Sequence, residues 1–136
     1  MDGATSASAP PPVVYTLTSL EQELLGMTSP PADVINLGRW DDNGDLQDGF
    51  RQLTPEELRL LAAKMHSSPN VKVLNLSGNE MSAITINDVA EALAKLTKLE
   101  CVYLNRCNIG AEGAGRLAEP LGKLTALREL DLSCTV

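Results

Sequence analysis

Aromatic side chains are nearly absent from this sequence: Tyr15, Trp40, Phe50 and Tyr103 are the only four among 136 residues. A core built from it has to be aliphatic. Long apolar runs are missing as well, and no stretch approaches the roughly 20 residues that a membrane-crossing helix needs. The opening Met1-Asp2-Gly3 carries neither the basic n-region nor the apolar stretch of a secretory leader, so a cytoplasmic protein is expected, with no membrane partner. Cysteine is scarce and odd in number. Cys101, Cys107 and Cys134 include no Cys-x-x-Cys pair, which leaves neither a disulfide framework nor a zinc site and points to reduced thiols. Basic residues are outnumbered 18 to 11, for a formal charge of -7, so the surface repels phosphate backbones and nucleic acid is not the expected partner.

Catalytic and ligand-binding patterns are also wanting. His66 is the single histidine, and no serine, cysteine or carboxylate is placed to make a triad with it; a surface position near a helix C-terminus is the simpler reading. Asp41-Asp42-Asn43-Gly44-Asp45 has the look of a calcium loop, yet Leu46 stands where that loop needs glycine and Gln52 where it needs a bidentate Glu. Gly110-x-x-Gly113-x-Gly115 has its gaps in the wrong order for a dinucleotide fingerprint, and no phosphate-loop Lys-Ser/Thr follows. Asn75-Leu76-Ser77 fits a glycosylation acceptor that a chain without a secretory leader never exposes to the enzyme. No enzyme, no metal and no cofactor is expected.

Residues 1 to 16 are rich in Ala, Ser and Pro and read as a disordered tail, since they bury too little apolar surface to offset ordering. Pro10-Pro11-Pro12 lacks the flanking basic residues of a polyproline ligand. Residues 17 to 32 read as a capping helix and linker: Ser19 caps with Gln22 three residues later, Leu20, Leu24 and Met27 share one face, and Pro30-Pro31 stops the helix. A strand at 34 to 37 follows, then a polar loop from Trp40 to Gln52 with four aspartates. Thr54-Pro55-Glu56-Glu57 opens a helix, with Thr54 as cap, Pro55 first and Glu57 completing the box. Leu58, Leu61, Ala62 and Met65 face inward from it.

The C-terminal half repeats. Val71-x-x-Leu74-x-Leu76-x-x-Asn79-x-Met81 recurs after 28 residues as Leu99-x-x-Val102-x-Leu104-x-x-Cys107-x-Ile109, and after 28 more as Leu127-x-x-Leu130-x-Leu132-x-x-Thr135. Ile35 and Leu37 precede Leu74 and Leu76 by 39 residues, eleven more than the period, so the first repeat carries an insertion between Gly38 and Gln52. Strands are expected near 34 to 37, 72 to 76, 100 to 104 and 128 to 132, and helices near 55 to 66, 86 to 96 and 112 to 123. Pro120 removes a backbone donor within the last helix, so a kink or a late start is expected there.

The residues from 33 to 136 resemble the leucine-rich-repeat family, and the 28-residue period with Gly110-Ala111-Glu112-Gly113-Ala114 before a helix resembles its ribonuclease-inhibitor-like subclass. The resemblance implies an α/β solenoid with a parallel concave sheet and convex helices. It divides the chain into an irregular first repeat at 33–70, repeats at 71–98 and 99–126, and a truncated repeat at 127–136. Asn79 and Cys107 then hold the position where the chain turns, satisfying backbone groups inside the stack. Alternation along each strand sends positions 4 and 6 inward and positions 3, 5, 7 and 8 to the concave side. The concave face stacks Val34/Val73/Cys101/Glu129, Asn36/Asn75/Tyr103/Asp131, Gly38/Ser77/Asn105/Ser133 and Arg39/Gly78/Arg106/Cys134.

Asn75, Cys101, Tyr103, Asn105, Arg106, Glu129 and Asp131 are the candidate partner contacts, with Tyr103 as the only expected aromatic among them. A solenoid of this kind implies a module that binds a protein partner. A regulator of a small GTPase, similar to the activating proteins of Ran, and a structural component of a cytoskeletal assembly are the alternatives. The C-terminal repeat has no return helix, so self-association through an open edge is a further expectation.

Overall fold

The computed structural model describes residues 11–41 and 43–133. Among these described residues five short strands alternate with four helices. The strands are β1 (Val14–Tyr15), β2 (Val34–Asn36), β3 (Val73–Asn75), β4 (Cys101–Tyr103) and β5 (Glu129–Asp131), and the helices are α1 (Leu17–Leu24), α2 (Pro55–His66), α3 (Ala83–Leu93) and α4 (Gly110–Gly122). All strand pairs are parallel, in the order β1-β2-β3-β4-β5. Val34, Val73, Cys101 and Glu129 lie side by side in the register, and so do Asn36, Asn75, Tyr103 and Asp131. This is the leucine-rich-repeat solenoid, with α2, α3 and α4 packed in turn along one side of the sheet.

The period is fixed by burial. Ile35, Leu74, Leu76, Val102 and Leu104 are sealed between sheet and helices, where Leu58, Leu61, Met65, Ile86, Val89, Leu93 and Leu117 meet them. Asn79, fully buried, ties three segments together: its Nδ2 donates to Leu37 O at 2.9 Å and Leu76 O at 3.2 Å, and its Oδ1 accepts from Leu53 N at 2.9 Å. Cys107 holds the equivalent place one repeat later, with Sγ 3.2 Å from Leu76 O. Burial pushes that thiol up to about 12, so it is an inert structural group.

The helix starts follow local chemistry. Thr54 Oγ1 accepts from Glu57 N at 3.1 Å, and Glu57 Oε1 accepts from Thr54 N at 2.9 Å, the expected box. Glu57 is also held by Arg51 through two 2.8 Å bonds. Helix α3 begins three residues ahead of expectation, because Ser82 accepts from Thr85 N at 3.3 Å; Thr85 in place of Glu or Gln hid that cap in the sequence. The expected late start of α4 is corrected: it begins at Gly110, and buried Pro120 falls in its final turn, where the one backbone donor it removes leaves the preceding turns intact.

The N-terminal segment needs the largest corrections. Residues 1–10 of the expected tail lie outside the described residues, but Val14 and Tyr15 form β1 against β2, with Val13 N donating to Asp33 Oδ2 at 2.8 Å. Two residues are too few for a period to appear in the sequence. Thr16, not Ser19, caps α1, and Ser19 serves as the third residue of the box. Of the expected apolar face only Leu20 is buried, while Leu24 and Met27 are exposed. A partly buried network takes their place: the Tyr15 hydroxyl donates to Glu23 at 2.6 Å, and Lys64 Nζ donates to Ser29 Oγ and Pro30 O, each at 2.7 Å. Lys64 also stands 5.2 Å from the centre of the Tyr15 ring. No helix among the described residues is long and apolar enough to cross a membrane.

Candidate functional site

The insertion of the first repeat does not loop into solvent. It folds over the carboxyl ends of β2 and β3 on the concave side. Arg39 N donates to Ser77 O at 2.7 Å, and Trp40 N to Ser77 Oγ at 3.1 Å, while Asn75 Nδ2 donates to Trp40 O at 2.6 Å. The chain then turns on Asp41, whose Oδ1 accepts from Asn43 N and Asp45 N, each at 2.9 Å. It returns through an antiparallel bridge between Trp40 and Leu46, and Gln47 Nε2 donates to Gly38 O at 3.1 Å. Gln52 closes the span, donating to Gly78 O at 2.6 Å and accepting from Glu80 N at 2.9 Å. Asp41 thus spends its carboxylate on a turn.

Two glycines make the close approach possible. A Cβ at Gly38 would stand 2.0 Å from Asn75 Oδ1, and one at Gly78 would stand 2.7 Å from Arg39 Cβ. Gly78 also has φ 80, a left-handed conformation in which a side chain is strained. Arg106 occupies the register position of Gly78 and is itself left-handed, at φ 58. That backbone brings its guanidinium 5.3 Å from the Trp40 ring centre, while Arg39 lies 5.0 Å from the same ring. The only tryptophan is therefore set beside two cations.

The expected contacts separate into two groups. Asn75 and Cys101 are 4% and 8% exposed, which corrects their placement on an open surface: the inserted segment covers Asn75, and Cys101 is enclosed between neighbouring strands. Burial of Asn75 equally removes it as a glycosylation acceptor. Tyr103, Asn105, Arg106, Glu129 and Asp131 come together around a cleft of about 520 Å³, joined there by Trp40, Asp41, Gly44 and Leu130. Cys134, the last residue of the fourth concave row, lies outside the described residues.

The expectation that Tyr103 is the lone aromatic of this face is corrected by Trp40. A signal for it existed, since a tryptophan followed by aspartates in an insertion is an unusual choice for a solvated loop, but spacing alone could not say where the insertion would fold. The Tyr103 hydroxyl donates to Glu129 Oε1 at 2.5 Å. Burial and that bond push its ionisation above the ordinary phenol range, so it remains a neutral donor. Asp131 Oδ1 accepts from Ser133 N at 2.9 Å and Ser133 Oγ at 2.7 Å. The cleft presents two aromatics, Arg106 drawn to one of them, and the carboxylates of Glu129 and Asp131. Among the described residues no group of three or more His, Cys, Asp or Glu side chains is placed to hold a metal ion.

Two stretches of the chain, residues 67–83 and 95–118, match the family described as Leucine Rich repeat. The first spans β3 and the Asn79 turn, and the second spans β4, the Cys107 turn and most of α4. No curated protein matches the sequence.

Proposed function

We propose that this chain is a non-enzymatic protein-interaction module that grips its partner at the concave cleft between the inserted segment and strands β4 and β5. The observation that carries this reading is the Trp40 ring, fixed at the rim by backbone bonds and flanked by Arg39 and Arg106, opposite Tyr103. Tryptophan, tyrosine and arginine supply large contact area at low entropic cost, and anchors already immobile before binding lose least on association. Leucine-rich repeats commonly serve protein partners, and the formal charge of -7 disfavours nucleic acid.

The binding unit in this reading is residues 33–136, with 17–32 as its cap. The 28-residue spacing from Val73 to Cys101 to Glu129 supports the ribonuclease-inhibitor-like subclass. A reducing, cytoplasmic setting suits Cys101 and Cys107, both free thiols and both buried.

The test is affinity capture with the wild-type chain and with a Trp40→Ala/Tyr103→Ala variant, after circular dichroism has shown that both are folded. Loss of specific partners by the variant is expected. Undiminished capture would move the site away from the cleft.

A further inference from the structure

Arg51, Arg59, Arg116 and Arg128 each stand 3.9 Å or less from a carboxylate. The two remaining arginines of the chain, Arg39 and Arg106, are exposed and have no such partner among the described residues. One comes from the inserted segment and the other from the turn after β4, yet both are held over the same Trp40 ring, 5.0 and 5.3 Å from its centre. Arg106 is strained at φ 58, where the preceding repeat uses Gly78 at no such cost. Backbone strain of this kind is kept where the side chain it aims has a use.

The two guanidiniums line a hollow of about 510 Å³ together with Trp40, Gln52, Glu80 and Asn108. The hollow adjoins the concave cleft and shares Trp40 and Arg106 with it, but its walls come from the inserted segment and from the turns after β3 and β4. Gln52 is already spent on Gly78 O and Glu80 N. A guanidinium held over an aromatic face keeps its in-plane N–H donors for a carboxylate, which it meets with two parallel bonds. On the far side of the ring the cleft is bounded by Glu129 and Asp131, whose charges turn an acidic group away from the cleft and toward the hollow.

We infer that the hollow takes an acidic segment of the partner protein, an extended stretch with carboxylates at alternate positions, one for Arg39 and one for Arg106; this deepens the interaction-module reading and rests on it. Alternate side chains of an extended chain leave one face about 7 Å apart, a spacing that suits two cations flanking a single ring. Glu80 lines the same hollow, and its charge weighs most against a group that concentrates two negative charges at one point, as a phosphate does. Carboxylates spaced along a chain divide that charge between the two arginines.

The experiment titrates the whole chain at low ionic strength with capped peptides and follows the fluorescence of Trp40, the only tryptophan. The probes are a Glu-Ser-Glu peptide, its Gln-Ser-Gln and Lys-Ser-Lys counterparts, and a Gln-phosphoserine-Gln peptide. The Glu-Ser-Glu peptide is expected to bind at least about tenfold more tightly than the Gln and Lys peptides, a difference of about 1.4 kcal/mol. Added salt should weaken it. An Arg39→Gln/Arg106→Gln variant, folded by circular dichroism, should lose this preference, and Arg39→Glu/Arg106→Glu should turn it toward Lys-Ser-Lys. Arg59→Gln, on α2, should bind as wild type does.

Equal binding of the Gln-Ser-Gln peptide, or binding of Glu-Ser-Glu that ignores both arginines, overturns the proposal. Tighter binding of the phosphoserine peptide than of Glu-Ser-Glu overturns it too, in favour of a phosphorylated partner. Partner capture that depends on Trp40 and Tyr103 but persists undiminished in Arg39→Gln/Arg106→Gln would sink the acidic-segment proposal alone and leave the module reading standing.

Discussion

The left-handed Arg106 sets two opposing effects of similar size against one another, and substitution there measures both. A non-glycine residue at φ 58 carries about 1 to 2 kcal/mol of local strain. Its guanidinium, 5.3 Å from the Trp40 ring centre, returns about 0.5 to 1 kcal/mol at an exposed site. Arg106→Ala keeps the strain and removes the contact, so it should destabilise the fold by about 0.5 to 1 kcal/mol. Arg106→Gly removes both, and the added freedom of glycine in the unfolded chain costs about 0.5 to 1 kcal/mol. Summed, the glycine variant should lie within about 1 kcal/mol of wild type and above the alanine variant by about 0.75 kcal/mol at the middle of these ranges. Urea unfolding followed by circular dichroism reads this order without relying on Trp40 fluorescence. In a Trp40→Ala background the cost of Arg106→Ala should largely disappear, a coupling visible in the double-mutant cycle. An alanine variant as stable as the glycine variant would refute the strain, and zero coupling would refute the contact.

Leu76→Ala and Leu104→Ala should each cost about 2 to 5 kcal/mol in the same assay, whereas Leu130→Ala, at a half-open site, should cost about 1 kcal/mol; equal losses at all three would contradict the burial gradient. Asn79→Ala leaves the buried Leu53 amide and Leu37 carbonyl without their partner and should cost about 2 to 5 kcal/mol, and a change below about 1 kcal/mol would show that other groups replace it. The Arg51 guanidinium, against the opposition of burial, holds Glu57 down to about 2 from its ordinary 4.5. A depressed carboxylate contributes stability that is present above about pH 4.5 and lost as pH falls through about 2. Arg51 is 40% exposed, so screening leaves about 2 kcal/mol for this contribution. Between about pH 5 and 2, wild type should therefore lose more stability than Glu57→Gln, and parallel curves would remove the pair as the cause.

Repetition made the solenoid legible in the sequence. Leu74, Val102 and Leu130, like Leu76, Leu104 and Leu132, recur at one fixed interval, and each recurrence tests the register of the one before. The Thr54-Pro55-x-Glu57 start was equally plain because cap, first residue and box are all diagnostic types. Nothing comparable marks β1, whose two residues join the sheet only because Tyr15 has a buried place to go. The concave surface was readable as a set of positions but not as an exposed surface. Alternation says that Asn75 points away from the core; it does not say that an inserted segment will lie on top of it. Trp40 was missed for the same reason, since an insertion has no period to locate it, and its place depends on tertiary bonds to Asn75 and Ser77 and on the bare backbone at Gly38 and Gly78.

The two ends of the stack differ in how they are closed, and this gives the molecule a mechanical direction. At the N-terminal end Tyr15 and Leu20 are sealed, and Lys64 bonds back to Ser29 and Pro30, so that end opens only by breaking polar and buried apolar contacts together. At the other end Leu130 of β5 is half wet. In the 136-residue chain taken by itself, opening should begin at β5 and proceed inward repeat by repeat, because each repeat is supported only by its neighbours. Amide hydrogens bonded between β4 and β5 should exchange first, those between β3 and β4 next, and those around Asn79 last. A chain pulled from its C-terminus should peel in small steps, whereas one pulled from its N-terminus should resist and then yield at once.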